Sequence, residues 1–177
     1  FVCINTRDNA YLDGQKSQDF SYHSYRNVDI ESFKLVSEYL TSLGIKVVRM
    51  GKKVEKKISF QNENIIDYAC SDLRSDFMDL YLVSNCFFYI GSNGGLDVLP
   101  TLLRKPKLST NLVPIIGVSS ECENIMTIFK HHFSSKLNRK ISIREIVEND
   151  LDNTHHRDVF EEKDIKLLSN SPNEILD

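Results

Sequence analysis

Three groups of residues in this chain have the types and spacing to bind an anion. The first is Gly91-Ser92-Asn93-Gly94-Gly95. It lies between the apolar run Phe87-Phe-Tyr-Ile90, which reads as a fully buried strand, and a segment in which Leu96, Val98, Leu99, Leu102 and Leu103 recur at roughly helical spacing before Pro106. A strand, a glycine-rich turn and a helix start together present backbone N–H groups that have no partner inside the helix, with the helix dipole favouring negative charge there. Gly94 and Gly95 let a ligand approach the backbone, and Ser92 and Asn93 either cap the helix or bind the ligand. The pattern is neither a Walker loop nor GxGxxG, and an ordinary capped βα turn reads the same way. The second group is Arg7-Asp8. The third is Tyr25-Arg26-Asn27 with His23 beside it. Two or three arginines facing a helix start suit a diphosphate, because the guanidinium fork matches phosphate oxygens. Arg49-Met50-Gly51 and Asp67-Tyr68 add polar groups, the latter within reach of a ribose or base. Each arginine alone is by default a solvated surface residue; the joint arrangement points to a site.

Other chemistry is poorly supported. His131-His132 and His155-His156 are adjacent pairs, and neighbours on a helix or strand point in different directions, so no metal site is expected. Asp72, Asp76 and Asp79 stand four and three apart; one caps a helix and the others read as solvated carboxylates. Ser92 lacks the GxSxG flanks of a hydrolase elbow. Cys3, Cys70, Cys86 and Cys122 form no CxxC pair and read as reduced thiols, which suits the cytoplasm. A net charge of −3 excludes a nucleic-acid binder working by bulk electrostatics. No apolar run approaches the ~20 residues that span a bilayer, so no transmembrane segment is predicted, and no signal peptide is visible.

The elements that must position these groups alternate. Phe1 to Thr6 reads as a buried strand, with Arg7-Asp8 at the carboxyl end where open α/β sheets bind ligands. Residues 8 to 27 form a long polar loop containing Asp13-Gly14, Tyr11, Tyr22, His23, Tyr25 and Arg26, and its aromatic content favours function. Asp29 caps a helix with Phe33, Val36, Leu40 and Leu43 on its inner face, ending at Gly44. Ile45 to Met50 is a second strand. Lys52 to Asn64 is a charged connection with a short helical turn, and Asn64 to Ala69 a third strand. Ser75 or Asp76 caps a helix running to Asn85, with Phe77, Leu80, Tyr81 and Ser84 inward. Leu108 to Thr110 is a fifth strand, Pro114 to Val118 a loop or edge segment, and Met126 to Phe129 an extended piece. Ser142 and Glu145 form a capping box opening a short helix, Ile143 to Glu148. Residues 149 to 174 read as short helical turns on the outside. The expectation is one Rossmann-like three-layer α/β domain over residues 1–177, with a mainly parallel sheet of about five strands, a core over about 1–120 and an outer helical tail over about 121–177. A start directly on a strand, without Met, and a close on Ser171-Pro-Asn-Glu-Ile-Leu-Asp177 suggest a fragment of a longer chain.

Arg7-Asp8-x-x-Tyr11-Leu12, Tyr25-Arg26-Asn27, Arg49-Met50-Gly51, Ile66-Asp67-Tyr68 and Gly91-Ser-Asn-Gly-Gly-Leu96, followed by Pro106 and Thr110-Asn111, occur in that order. Together they resemble a family of bacterial glycosyltransferases from surface-polysaccharide gene clusters, over most of the chain. More distantly the pattern is similar to the nucleotide-sugar half of GT-B glycosyltransferases, the C-terminal half. The resemblance implies metal-independent transfer of a sugar from a nucleoside-diphosphate donor to a glycan or other acceptor, with no further cofactor. It places the protein in the cytoplasm or at the inner face of the membrane. It implies that Arg7 and Arg26 bind the diphosphate and stabilise its departure, and that Ser92, Asn93, Gly94 and Gly95 hold phosphates or ribose. Asp67 and Tyr68 would contact the nucleoside, with Arg49 and Gly51 in support, and His23 and Asp8 are candidate bases. It also implies a missing N-terminal acceptor domain and an isolated fragment without activity. Where many members carry His two residues before the arginine, this chain has Asn5, and Asn93-Gly94 stands where Ser-Gly is more usual. Asn5 cannot act as a base, so a non-catalytic nucleotide- or sugar-binding module, or a degenerate transferase domain kept as an assembly partner, is the alternative. A sugar-nucleotide epimerase on a related scaffold is a weaker one.

Overall fold

The structure, a computed structural model, describes residues 1–13, 21–60, 62–118 and 123–177. Gly14 of the expected Asp13-Gly14 turn, the loop from there to Phe20, and Cys122 lie outside the described residues. Six strands form the main sheet: β1 (Val2–Asn5), β2 (Val47–Arg49), β3 (Ile65–Ile66), β4 (Tyr89–Gly91), β5 (Lys107–Leu112) and β6 (Ile125–Phe129). All neighbouring strands are parallel, in the order β3-β2-β1-β4-β5-β6. The fold is therefore Rossmann-like. The sheet has one strand more than expected because Ile125–Phe129 joins it as a full parallel strand.

A parallel sheet covered on both faces needs strands that are apolar on both faces, and β1 and β2 meet that requirement. Val2, Ile4 and Val47 pack on one face with Phe33, Val36, Leu40, Ile90 and Ile175; Cys3 and Val48 pack on the other with Met50, Tyr68, Val83 and Tyr89. Four further segments are short helices or helix starts around the sheet: α1 (Ala10–Asp13), α2 (Lys34–Ser42), α3 (Asp76–Asn85) and α4 (Val98–Leu102). Asp29 accepts from the Glu31 N–H and opens a 3₁₀ turn, Ile30–Phe33, that runs into α2. Gly44, at φ +79°, takes the left-handed position past the helix end. Leu43 is exposed rather than inward, because the inner stripe of α2 runs through Val36, Ser37, Leu40 and Thr41.

Two expectations about the second face are corrected. Ser75 does cap α3, accepting from the Met78 N–H. However, Phe77, Leu80 and Tyr81 point away from the sheet, Phe77 with 72% of its surface exposed. The buried Tyr68 hydroxyl bonds to the Asp79 carboxylate, 3.0 Å, which draws Asp79 and Val83 inward and turns the more apolar stripe outward. Phe77 and Tyr81 stack on that outer stripe with centroids 6.2 Å apart. Phe87 is 72% exposed as well, since β4 begins at Tyr89 and the Phe87 N–H pairs with Phe1 at the amino edge of the sheet. The expected helical turn between Lys52 and Asn64 is absent among the described residues, which form bends and turns there. The third strand is shorter than expected and leads into a 3₁₀ turn, Tyr68–Cys70.

Residues after 130 are not a helical tail. They form a three-stranded antiparallel sheet, β7 (His131–Ser134), β8 (Arg139–Lys140) and β9 (Ile165–Leu168), in the order β8-β7-β9. Helices α5 (Ile143–Glu148) and α6 (Arg157–Glu162) accompany it, and the capping box at the start of α5 is as expected. Ile146, Leu151, Phe160 and Ile165 make a separate small core that also takes in Tyr25 and Val113. The chain then returns to the main domain. Asn111 and Asn170 exchange bonds, each backbone N–H donating to the other's Oδ1 at 2.7 Å. Ser171, Pro172 and Glu174 open α7 (Pro172–Leu176), whose Ile175 enters the main core beside α2.

Candidate functional site

From β1 the chain moves outward through β2 and β3, then crosses back to β4 and outward the other way through β5 and β6. The carboxyl ends of β1 and β4 therefore flank the point where strand order reverses, the usual ligand crevice of such sheets. Asn5 is paired in register with Gly91, so Thr6-Arg7 and Ser92-Asn93 emerge side by side. The Arg7 N–H donates to the Ser92 hydroxyl at 2.8 Å, and Ser92 is fully buried. Ser92 thus ties two strand ends together. Asn93, at φ 60°, donates to the Val113 carbonyl at 3.2 Å.

The third predicted group joins the same place. Ser21–Arg26 is a 3₁₀ turn. Arg7 Nη1 donates to the His23 carbonyl at 3.0 Å and to Asn27 Oδ1, while Arg26 Nη2 donates to the Asn93 carbonyl at 2.7 Å. Arg7, His23, Arg26 and Asn93 are therefore brought together, as the spacing predicts. A cation that sequence reasoning missed completes the group. Lys130, only 5% exposed, donates from Nζ to the carbonyls of Tyr25 (2.9 Å) and Asn27 (2.8 Å). Among the described residues none of Arg7, Arg26 and Lys130 has a carboxylate within ion-pair distance. Their partners are carbonyl and amide oxygens, which satisfy hydrogen bonds and leave the charge in place. His23 Nδ1, the Tyr25 hydroxyl and Arg26 Nε are buried and have no hydrogen-bond partner among the described residues. Burial, then the charge of Arg26, lowers the Arg7 pKa from its ordinary value. Burial, followed by Arg26 and Arg7, pushes His23 below the usual imidazole range. Burial and then Arg7 lower Lys130 to about 8.

The other predicted residues have different surroundings. Asp8 accepts from the N–H groups of Ala10 and Glu55, both at 3.0 Å, and so pins two loops. Arg49, 1% exposed, pairs with Asp67 at 3.0 Å and donates to the Lys56 carbonyl at 3.2 Å. Asp67 also accepts from the Ile58 N–H. Arg49 and Asp67 therefore hold the 52–60 segment over the sheet edge. Tyr68 is buried, and its hydroxyl is engaged by Ser75 and Asp79. Gly51 has no room for a side chain, since a Cβ would stand 2.7 Å from Val54 Cγ1. A cleft of about 250 Å³ opens between Asp8, Asn27, Arg49, Glu55 and Lys56.

The glycine turn already holds a carboxylate of its own. Asp97 accepts from Asn5 Nδ2 (3.2 Å), the Tyr89 hydroxyl (2.8 Å) and the Gly94 N–H (3.1 Å). A Cβ on Gly91 would stand 2.5 Å from the Asp97 oxygens. Gly95 has open space where a side chain would lie. The signal for Asp97 was its position three residues past Gly94, where a short acid caps a tight turn. Among the described residues no group of three or more His, Cys, Asp or Glu side chains is placed to hold a metal ion, and no helix is long and apolar enough to cross a membrane. Comparison of the chain with protein-family models, with curated proteins and with solved structures found no match in any of the three.

Proposed function

We propose that this domain binds a nucleoside-diphosphate sugar at the carboxyl edge of its sheet, as the donor-binding half of a metal-independent, GT-B-type glycosyltransferase. The observation that carries the reading is the set of three cations, Arg7, Arg26 and Lys130, none in a direct ion pair with a carboxylate among the described residues, gathered at the point where the strand order reverses. Three positive charges that no direct ion pair neutralises, in a partly buried crevice, favour an anionic ligand such as a diphosphate. Arg7 and Arg26 bind the diphosphate and stabilise the negative charge that grows on it as the sugar leaves. His23, held neutral near pH 7 by its burial and its cationic neighbours, takes the proton of the acceptor hydroxyl. The acceptor, a glycan or other surface glycoconjugate, is supplied by a second domain, and the reaction takes place in the cytoplasm or at the inner membrane face.

One observation favours binding without transfer as the second reading. Asn5 spends its amide on Asp97, and the Asp97 carboxylate occupies the Gly94 N–H that a phosphate would otherwise use. The test is a thermal-shift titration with UDP, GDP, CDP, dTDP and CMP on the wild type, Arg7→Ala and Arg26→Ala. At one hundred times its dissociation constant a ligand adds about 2.7 kcal/mol, which for a domain of this size raises Tm by roughly 5–10 °C. A shift for one nucleotide that both variants lose supports the site; no shift with any of them refutes it. Release of free sugar or glycoside from the matching donor, in the presence of the acceptor domain, then separates transfer from binding alone.

A further inference from the structure

Arg26 and His23 do not stand on the Rossmann-like sheet. Their 3₁₀ turn is seated on the small antiparallel sheet: Tyr25 packs in the core of Ile146, Leu151, Phe160 and Ile165, with its ring 5.6 Å from that of Phe160. Tyr22 stacks on His156 at 5.5 Å, from the segment preceding α6. Two cations from different elements then hold the turn. Arg7, from the end of β1, takes the His23 carbonyl and the Asn27 side chain. Lys130, from the junction of β6 and β7, takes the carbonyls of Tyr25 and Asn27, the residues on either side of Arg26. Arg26 is thus held between two backbone anchors, and its guanidinium reaches Asn93 of the glycine turn.

A buried ammonium normally requires a carboxylate partner, or it loses its charge. Lys130 has neither a carboxylate partner among the described residues nor any exposure to speak of, and Arg7 is its nearest charged neighbour in effect. An apolar side chain could fill this volume at lower cost, so the two backbone bonds are what the lysine contributes. We propose that Lys130 is a positioning residue, which fixes the Ser21–Arg26 turn so that Arg26 faces the same anion as Arg7, and that the ligand's negative charge stabilises the lysine in return. This inference rests on the donor-site reading above. The groups around the ammonium are Arg7 and the carbonyls of Tyr25 and Asn27; the neighbouring His132 meets the backbone carbonyl of Lys130 through Nδ1 at 3.2 Å. Burial holds His132 down at about 4, so it stays neutral over the range tested.

The experiment is titration calorimetry with UDP, GDP, CDP and dTDP on the wild type, Lys130→Met, Lys130→Arg and Arg26→Ala, at pH 7.5 and 9.0. Lys130→Met is expected to weaken the nucleotide that binds at least tenfold at pH 7.5 without lowering the Tm of the free protein. Lys130→Arg is expected to restore part of the loss, since it keeps the charge and the donors. Wild-type affinity is expected to fall roughly eightfold between the two pH values, the fall in charged Lys130 for a group titrating at about 8, and Lys130→Met to be flat. Binding by Lys130→Met within twofold of the wild type, with Arg26→Ala impaired, overturns the role of Lys130 and leaves the donor site standing. Should Lys130→Met not fold, a wild-type affinity that does not change between pH 7.5 and 9.0 overturns the inference by itself. No binding by the wild type overturns the donor-site reading, and this inference with it.

Discussion

Asp97 offers the sharpest test of how the site's scaffold is held. Its carboxylate collects three donors from three elements: Asn5 at the end of β1, Tyr89 in β4, and the Gly94 N–H of the turn. Tyr89 is wholly buried and Asn5 nearly so, which means that water cannot readily replace the lost acceptor. Burial, reinforced by the Asp97 charge, raises the Tyr89 pKa well above its ordinary value, so the phenol stays a donor throughout. A hydrogen bond to a charged acceptor contributes about 1.5–3 kcal/mol, and three would sum to roughly 4.5–9. Asp97→Ala also removes the cost of burying the carboxylate, so the net expected loss is roughly 4 kcal/mol. That is a large part of the ~5–15 kcal/mol that holds a domain folded, and corresponds to a Tm lower by roughly 8–16 °C. The chain has no Trp, so urea unfolding is followed by far-ultraviolet circular dichroism. Tyr89→Phe alone is expected to cost about 1 kcal/mol, and the double variant to show a coupling of at least ~1 kcal/mol. A loss below ~1 kcal/mol for Asp97→Ala, or strict additivity with Tyr89→Phe, would refute the account of Asp97 as the acceptor shared by the turn and the two strands.

Three further outcomes follow from other parts of the molecule. Lys130 titrates at about 8 in the fold against an ordinary 10.5. Between those values the unfolded chain holds a proton that the folded chain lacks, so stability is expected to rise with pH across this window, by up to about 3 kcal/mol, and not to do so in Lys130→Met. On α3, Phe77→Ser is expected to cost less than ~0.5 kcal/mol and Val83→Ala about 2 kcal/mol, measured by urea unfolding; the reverse order would mean that the helix presents the other face to the sheet. Glu174 is pulled down to about 2, chiefly by the Ser171 N–H and then by the His131 side chain. Its contribution is present above the ordinary carboxylate range near 4.5 and is lost as pH falls toward 2, so Tm measured from pH 5 to 2.5 should fall less steeply in Glu174→Gln than in the wild type.

Much of the sheet was legible because its strands are short apolar runs closed by polar residues or glycine, as at Val2–Asn5 and Val47–Arg49. The capping residues Asp29, Ser75, Ser142 and Ser171 marked helix starts for the same local reason: a side-chain oxygen must meet the first free N–H groups. The convergence of Arg7 and Asn93 followed from topology, since parallel strands deliver their carboxyl ends to one edge, and Arg26 joins them from the loop that leaves that edge after β1. The orientation of α3 was not legible. Periodicity favoured the stripe of Phe77, Leu80 and Tyr81, and the stripe that is buried carries Asp79, which its contacts with the Tyr68 hydroxyl and the Arg74 guanidinium explain. Likewise Arg49 and Asp67 looked like ligands and are each other's partners, a pairing across 18 residues that no local pattern reveals. Lys130 had no signal at all, lying between two strands whose sheets the sequence did not distinguish. The strand Ile165–Leu168 was missed because only Ile165 of its four residues is buried.

The presence of Val2 and Ile175 in one core has a consequence for how the protein is made. Chains emerge from the ribosome at about 5–20 residues per second, so roughly 10–35 s separate the appearance of these two residues. For about the first half of that time β1 lacks β4 beside it, and for all of it β1 lacks α7 over it, so the apolar surface of the half-built sheet is open to solvent. Every pairing within the six-stranded sheet is parallel and spans a crossover, which makes the transition state expensive in loop closure and slow to reach. Exposed apolar surface and unpaired strand edges of this kind expose a half-built sheet to aggregation until its last helix closes.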